Sequence, residues 1–301
     1  MINEDKTQIS LTGVLVLLMF VAVAGVIVWQ ANRPNVNTET TLERIQRTGT
    51  IRIGFANENP YGYLDTKAQK VTGEAPEIAR YILKKMGVDH IEPVVADFGS
   101  LIPGLKAKRF DMIAAGMYIT PDRGKEIAFS NPTYAIGESF IVLAGNPLGL
   151  HSYEDVRDNP EARLGVMGGS IELVYAKKLG IDESKISVFA DYASALQGLK
   201  GDQIDAVAAT YLTVKDLLRK QDSSDIEQVQ DFRDPVIDGK ETRGYGAFGF
   251  RKQDVALRER FNEELAKFIG SPEHLTLIQP FGFDESTLPG EVTAKELTKA
   301  P

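Results

Sequence analysis

The chain has 301 residues, 43% of them hydrophobic and 25% charged, with a formal net charge of -8. This is the balance of a folded globular protein, and an acidic chain with both signs interspersed offers no basic stripe for nucleic-acid phosphates. The absence of cysteine excludes disulfides, thiolate nucleophiles, zinc thiolate sites and a lipid-attachment cysteine together, and the scattered His90, His151 and His274 read as surface or helix-end residues rather than metal ligands.

Residues 1–10 are polar, and Leu11 to Trp29 is a run of nineteen residues without a charge. At about 1.5 Å per residue it spans about 28 Å, enough to cross a hydrocarbon core. The run exceeds a usual signal-peptide apolar region, and Trp29, Gln30, Ala31, Asn32 and Arg33 make a poor cleavage site. An uncleaved single-pass anchor is therefore expected over residues 1–31, with a polar tether over 32–41. Flanking charge does not orient it, since Glu4 and Asp5 offset Lys6 on one side and Arg33 lies on the other.

A βα rhythm follows. A short helix (Leu42 to Arg47) and a strand (Ile51 to Phe55) lead to a helix from Pro76 to Met86, apolar at Ile78, Ile82, Leu83 and Met86, and a strand from Ile91 to Val95. Ser100 is placed to cap a helix with Leu101, Ile102 and Leu105 inward, and an apolar strand, Phe110 to Ala115, is expected to end at Gly116. After an interruption at 131–137, a second series begins with Ser139 to Leu143. It continues with strands at Leu164 to Met167, Ile186 to Phe189 and Ile204 to Ala208, alternating with helices at Ile171 to Leu179, Ala193 to Leu199 and Leu212 to Lys220. A strand at Gly244 to Phe250, a helix at Val255 to Ile269 and a last helix opened by Ser271 and Pro272 complete the chain. Two similar α/β units joined by two extended connections predict a two-lobed hinge protein whose site lies between the lobes. The divisions are 42–134 for the first part of lobe 1, 135–246 for the hinge and lobe 2, and 247–301 for the return to lobe 1 and the tail.

The segment after Phe110 carries the sharpest signal. Gly116 lets backbone approach a ligand, and Arg123, in a turn begun by Thr120, Pro121 and Asp122, can reach back as a two-pronged clamp for a carboxylate. An ordinary surface salt bridge is the plain alternative. On the other lobe Gly168, Gly169 and Ser170 stand between a strand and a helix, where free N–H groups favour an anion while Ser170 caps its own helix. Tyr61, with Tyr63 beside it, Phe98 and Tyr118 follow strand ends on one sheet edge. Ring faces there can hold a diffuse cation at about 0.5–2 kcal/mol each, although core packing explains any one ring alone. Glu58, in the loop from Ala56 to Pro60, is the charge at that edge, and Glu172 is a further candidate of lower weight.

Phe110, Asp111, Ala115, Gly116, Thr120 and Arg123 fit a pattern, F-D-x-x-x-A-G-x-x-x-T-x-x-R, that resembles the solute-binding proteins of ABC importers for polar amino acids. The resemblance covers roughly residues 41 to 285. The runs NENPYGYLD (57–65), TGEAPEIAR (72–80), FGSLIPGLKAKRFDMIAAGMYITPDR (98–123), GSPEHL (270–275) and PFGF (280–283) are similar to ectoine and hydroxyectoine binding proteins. It implies a type II periplasmic-binding-protein fold and a monomeric receptor outside the cytoplasmic membrane. It also implies partnership with ABC permease subunits and a small zwitterionic solute, without nucleic acid, cofactor or catalysis. Glu58, Tyr61, Phe98, Tyr118 and Arg123 are carried over from the ectoine binders.

The sequence departs from amino-acid binders where their second-lobe strand ends D-A-V-x-x-D. Here Asp205, Ala206 and Val207 are followed by Ala208, Ala209 and Thr210, so Thr210 stands where the aspartate would accept an α-ammonium. A compactly hydrated ammonium needs strong acceptors, so an ordinary amino acid is disfavoured. Tyr118 likewise replaces a small hydroxyl residue. The binding residues expected are thus Glu58, Tyr61, Phe98, Gly116, Tyr118, Arg123, Ser170 and Thr210. The rival readings are a receptor for a polar amino acid or another compatible solute, a sensor, and a dehydratase with Glu58 as general acid; the last lacks paired carboxylates or a nucleophile with its base.

Overall fold

The structure is a computed structural model that describes residues 39–220, 224–237 and 239–299, together with Met19. The chain divides into Met1–Glu39 and Thr40–Pro301. The expected anchor, apart from Met19, and the tether up to residue 38 lie outside the described residues, among which no helix is long and apolar enough to cross a membrane.

The second unit opens with α1 (Thr41–Thr48), started by a reciprocal cap. The Glu43 N–H donates to Thr40 Oγ1 at 3.2 Å and the Thr40 N–H donates to Glu43 Oε2 at 2.8 Å. Then come β1 (Thr50–Phe55), the hairpin of β2 (Tyr63–Asp65) and β3 (Lys70–Thr72), α2 (Glu74–Lys85), β4 (His90–Val95), a 3-10 turn at Phe98–Ser100 running into α3 (Leu101–Lys106), β5 (Met112–Tyr118), α4 (Pro121–Glu126), β6 (Ala128–Phe129) and β7 (Tyr134–Ile136). The chain crosses at Gly137 into β8 (Glu138–Leu143), α5 (Tyr153–Asp158), β9 (Leu164–Met167), α6 (Ile171–Lys178), β10 (Ile186–Phe189), α7 (Tyr192–Lys200), β11 (Ala206–Thr210), α8 (Tyr211–Arg219), β12 (Ile226–Gln228) and the pair β13 (Val236–Ile237) and β14 (Lys240–Glu241). It returns through β15 (Gly244–Phe250), α9 (Val255–Phe268), α10 (Pro272–Ile278) and α11 (Ala294–Leu297).

Two sheets result, each at the centre of one lobe. The first has the order β4-β1-β5-β15-β6, with β7 also on β15; the second is β10-β9-β11-β8-β12. In both, the first three strands are parallel and the fourth is antiparallel. The loops leaving the carboxyl ends of β1 and β5 therefore face the cleft from one side, and those leaving β9 and β11 face it from the other. Helix periodicity supplies the core: α2 buries Ile78, Ala79, Ile82 and Leu83, and α9 buries Leu257, Phe261, Leu265 and Phe268. Every residue of β5 is buried, as expected for a strand covered on both faces.

Several expectations change. β5 does not stop at Gly116 but runs through it to Tyr118, with Gly116 at φ 61 and a register shift against β15 between Ala247 and Gly249. A glycine irregularity inside a strand reads in sequence like a strand end. Phe110 precedes the strand, its ring packed where a Cβ on Gly54 would stand 2.6 Å away. β11 lies two residues later than expected, so Thr210 closes it. Ser100 heads α3 without a side-chain cap. His274 is fully buried against Phe268, accepting the Gly270 N–H at Nδ1 (3.1 Å), and burial pushes its pKa down to about 4.

Candidate ligand-binding site

The lobe 1 wall begins in the loop after β1. Glu58 and Gly62 exchange backbone hydrogen bonds of 2.8 and 2.9 Å, and the first N–H groups of α2, from Glu74 and Ala75, donate to the carbonyls of Pro60 (3.0 Å) and Tyr61 (2.9 Å). The loop is thus fixed at both ends, and the ring of Tyr61 lies where a Cβ on Gly116 would be only 2.5 Å from it. Tyr134 backs this ring, stacked at 5.4 Å and 24°, and donates its hydroxyl to the Gly116 carbonyl at 2.7 Å. Glycines on β15 make the room: a Cβ on Gly244 would meet the Tyr118 ring at 1.6 Å, and one on Gly246 the Tyr134 ring at 2.1 Å.

Arg123 is the third residue of α4, behind Pro121, and its N–H donates to the capping Thr120 hydroxyl at 3.1 Å. Its guanidinium lies 5.5 Å from the centre of the Phe98 ring. Nη1 donates to the Tyr118 carbonyl at 2.8 Å and Nη2 to the Gly169 carbonyl on lobe 2 at 3.0 Å. Burial makes its charge less favourable than in water.

Lobe 2 answers with backbone and hydroxyls. Gly169 has φ 78, and a Cβ there would sit 2.6 Å from the Cα of Gly99, so the lobes touch backbone to backbone. Ser170 occupies the cap position of α6 but makes no capping hydrogen bond; its buried Oγ has no partner, a correction to the expected cap. Thr210 caps α8 by accepting the Thr213 N–H at 3.3 Å. A hydroxyl chain crosses the cleft: the Tyr61 hydroxyl meets Thr210 Oγ1 at 2.7 Å, Thr210 donates to Thr213 Oγ1 at 3.0 Å, and Thr213 donates to Glu58 Oε1 at 2.9 Å.

One cavity between the lobes, closed down to about 20 Å³, brings together Glu58, Tyr61, Phe98, Gly116, Tyr118, Arg123, Ser170 and Thr210, the full set expected from the sequence. Glu172 lines it too, as do Ala115, Met167, Ile171 and Tyr192, which the sequence reading did not single out. Tyr192 opens α7 in a position equivalent to a strand end, and that was its available signal. Tyr63 lines outer grooves instead, with Lys220 Nζ 5.9 Å from its ring. Burial, then the Glu172 charge, push Glu58 up to about 8 against the Thr213 hydrogen bond. The cavity can therefore offer neutral or ionised carboxyl, ring faces, hydroxyls and one cation.

Residues 51–282 match the family of bacterial extracellular solute-binding proteins, family 3. The chain belongs to this family. The cavity described above is lined from both lobes of this solute-binding protein. The chain is 40% identical over 261 residues, 85% of each chain, to a "Probable amino-acid ABC transporter periplasmic-binding protein" of Sinorhizobium fredii. Among solved structures, EhuB in complex with hydroxyectoine superimposes with a TM-score of 0.79 at 35% identity, over 87% of this solute-binding protein and 99% of EhuB. An ancestral amino acid-binding protein, precursor of cyclohexadienyl dehydratase, gives 0.69 at 25% identity over 80% and 99%.

Proposed function

We propose that this solute-binding protein is the monomeric receptor of an ABC importer, held to the outer side of the cytoplasmic membrane by Leu11 to Trp29, and that it captures ectoine or hydroxyectoine. The observation carrying the ligand class is the composition of the cavity: Tyr61, Phe98 and Tyr118 stand round it with Arg123, while Thr210 closes β11 without a carboxylate. Arg123 spends two hydrogen bonds on the Tyr118 and Gly169 carbonyls, and a guanidinium carries five N–H donors, so donors remain for a solute carboxylate. The ring faces suit a charge delocalised over an amidinium, and Glu58 is the acceptor for its N–H groups. The hydroxyectoine complex of EhuB supports the same assignment. Titration calorimetry of the full chain is the test: heat with ectoine or hydroxyectoine and none with glutamine or arginine is expected. Tight binding of an amino acid without either solute overturns the ligand assignment.

A polar amino acid is the second reading, favoured by the amino-acid naming of the Sinorhizobium fredii relative. Dehydratase chemistry is the third, since Glu58 is held as a weak acid and Glu172 lines the same cavity; we read the protein as a binder because its family is one of solute-binding proteins. Product formed from prephenate would reverse that reading.

A further inference from the structure

Glu138 is the first residue of β8, directly after the crossing at Gly137, and is only 5% exposed. Its backbone is fixed, the N–H donating to Asp234 Oδ1 at 2.7 Å. In the antiparallel β8–β11 pair it stands opposite Thr210, so its side chain leaves the sheet on the face that Thr210 presents to the cavity. Among the described residues no N–H or hydroxyl donates to either of its carboxyl oxygens. The charge that bears on it most is another buried carboxyl, Glu172, which lines the cavity at the start of α6. Two ionised carboxylates are both acceptors, so a hydrogen bond between them forms only when one carries a proton.

The surroundings decide which one. Glu138 faces Glu172 from α6, Asp234 from the loop after β12 and Glu58 from the loop after β1, all acidic. Tyr118 of β5, Tyr153 of α5 and Tyr175 of α6 also feel its charge and supply no cation. Glu172, though raised by burial, has its own N–H and the Arg123 charge favouring ionisation.

We infer that Glu138 is a positioning residue of the binding site: a neutral carboxylic acid that donates its proton to Glu172 and aims the ionised Glu172 into the cavity as the second-lobe acceptor for a ligand's cation. This rests on the proposed zwitterionic ligand only for its last clause. It gives lobe 2 a carboxylate where amino-acid binders end the equivalent of β11 with one, but delivered from a helix start and held by an internal acid.

The test separates the two clauses. A carboxyl whose folded pKa lies above its unfolded value of 4.5 binds a proton more tightly when folded, so stability falls as pH rises from that value toward the folded one. Glutamine donates the same hydrogen bond without titrating. In ligand-free thermal unfolding of the full chain, Glu138→Gln is expected to raise Tm relative to the parent at about pH 8 and to leave it nearly unchanged at about pH 5. A lower Tm for Glu138→Gln at the higher pH shows an ionised, paired Glu138 and overturns the shared proton. With hydroxyectoine as probe, Glu138→Leu is expected to weaken binding about tenfold, and Glu138→Gln to recover most of it, because only the amide can still aim Glu172. Equal affinity for Glu138→Leu and the parent overturns the positioning role. If the parent does not bind hydroxyectoine, the ligand assignment falls, while the shared proton still stands or falls on the melting profiles.

Discussion

The two lobes solve the same folding problem identically at one end of their sheets and differently at the other. At the far end, Asp111 accepts the backbone N–H of Arg52 at 3.0 Å and pairs with Arg44 at 2.7 Å, while Asp205 accepts the N–H of Arg163 at 2.8 Å and holds its guanidinium at 2.9 and 3.0 Å. Each aspartate precedes the third strand in the order of its sheet and ties it to the second, a purely architectural use. At the cleft end the likeness stops. Lobe 1 supplies Tyr61, Phe98, Tyr118 and Arg123; lobe 2 supplies Ser170, Thr210 and Glu172, with the Gly169 carbonyl accepting from Arg123 beside them. The repeated part ties strands together and the diverged part lines the cavity: in the proposed function lobe 1 grips and shapes the solute, whereas lobe 2 closes and balances charge.

The sharpest way to break that division is to remove the grip. Arg123→Ala deletes the cation proposed for the solute carboxylate and also the 3.0 Å bond to the Gly169 carbonyl that joins the lobes. Removing one partner of a desolvated, hydrogen-bonded charge pair costs about 3 kcal/mol or more, so hydroxyectoine affinity should fall roughly a hundredfold or further by calorimetry. A loss below about threefold would move the carboxylate elsewhere and make lobe 2 the gripping side.

Shape gives the next effect. In lobe 1 a Cβ on Gly244 would collide with the Tyr118 ring at 1.6 Å; in lobe 2 a Cβ on Gly168 meets Val188 at an ordinary 3.5 Å. Gly244→Ala should therefore destabilise by about 2 kcal/mol through overpacking, with weaker binding as Tyr118 shifts, while Gly168→Ala changes stability by less than about 0.5 kcal/mol. Matched denaturant titrations measure both. Equal losses would mean that the ring wall is no more tightly built than the opposite turn.

This asymmetry also explains what could be read in the chain before its structure. Apolar periodicity and helix stops are local, so α2 and α9 and the repeated strand order were legible. The cavity residues were legible where they close or follow strands, as Tyr118 closes β5 and Tyr61 and Ser170 follow theirs, because the fold class alone sends those ends to the cleft. The course of β5 through Gly116 was not, since a positive φ within a strand depends on the bulged partner β15. Tyr134 was missed because its role is to support a ring distant in sequence, and Glu138 because its meaning comes from cross-strand register with Thr210. A carboxylate opening the otherwise apolar run ESFIVL was the one visible trace of it.

The smallest effect tests closure without disturbing the ring wall. Tyr61→Phe keeps the aromatic face and its stack on Tyr134 but removes the hydroxyl that meets Thr210 Oγ1 across the cleft at 2.7 Å. Thr210 retains its bond to Thr213, so no donor is stranded and only one neutral hydrogen bond is lost, about 1 kcal/mol or roughly fivefold in affinity. Thr210→Val removes the other end of the same bond together with the α8 cap and the bond to Thr213, and the two changes together should cost little more than Thr210→Val alone. A double-mutant cycle on hydroxyectoine binding measures the coupling directly. Strict additivity would mean that the hydroxyl chain from Tyr61 to Glu58 does not hold the lobes together, and that closure depends on Arg123 and the glycine contact between Gly99 and Gly169.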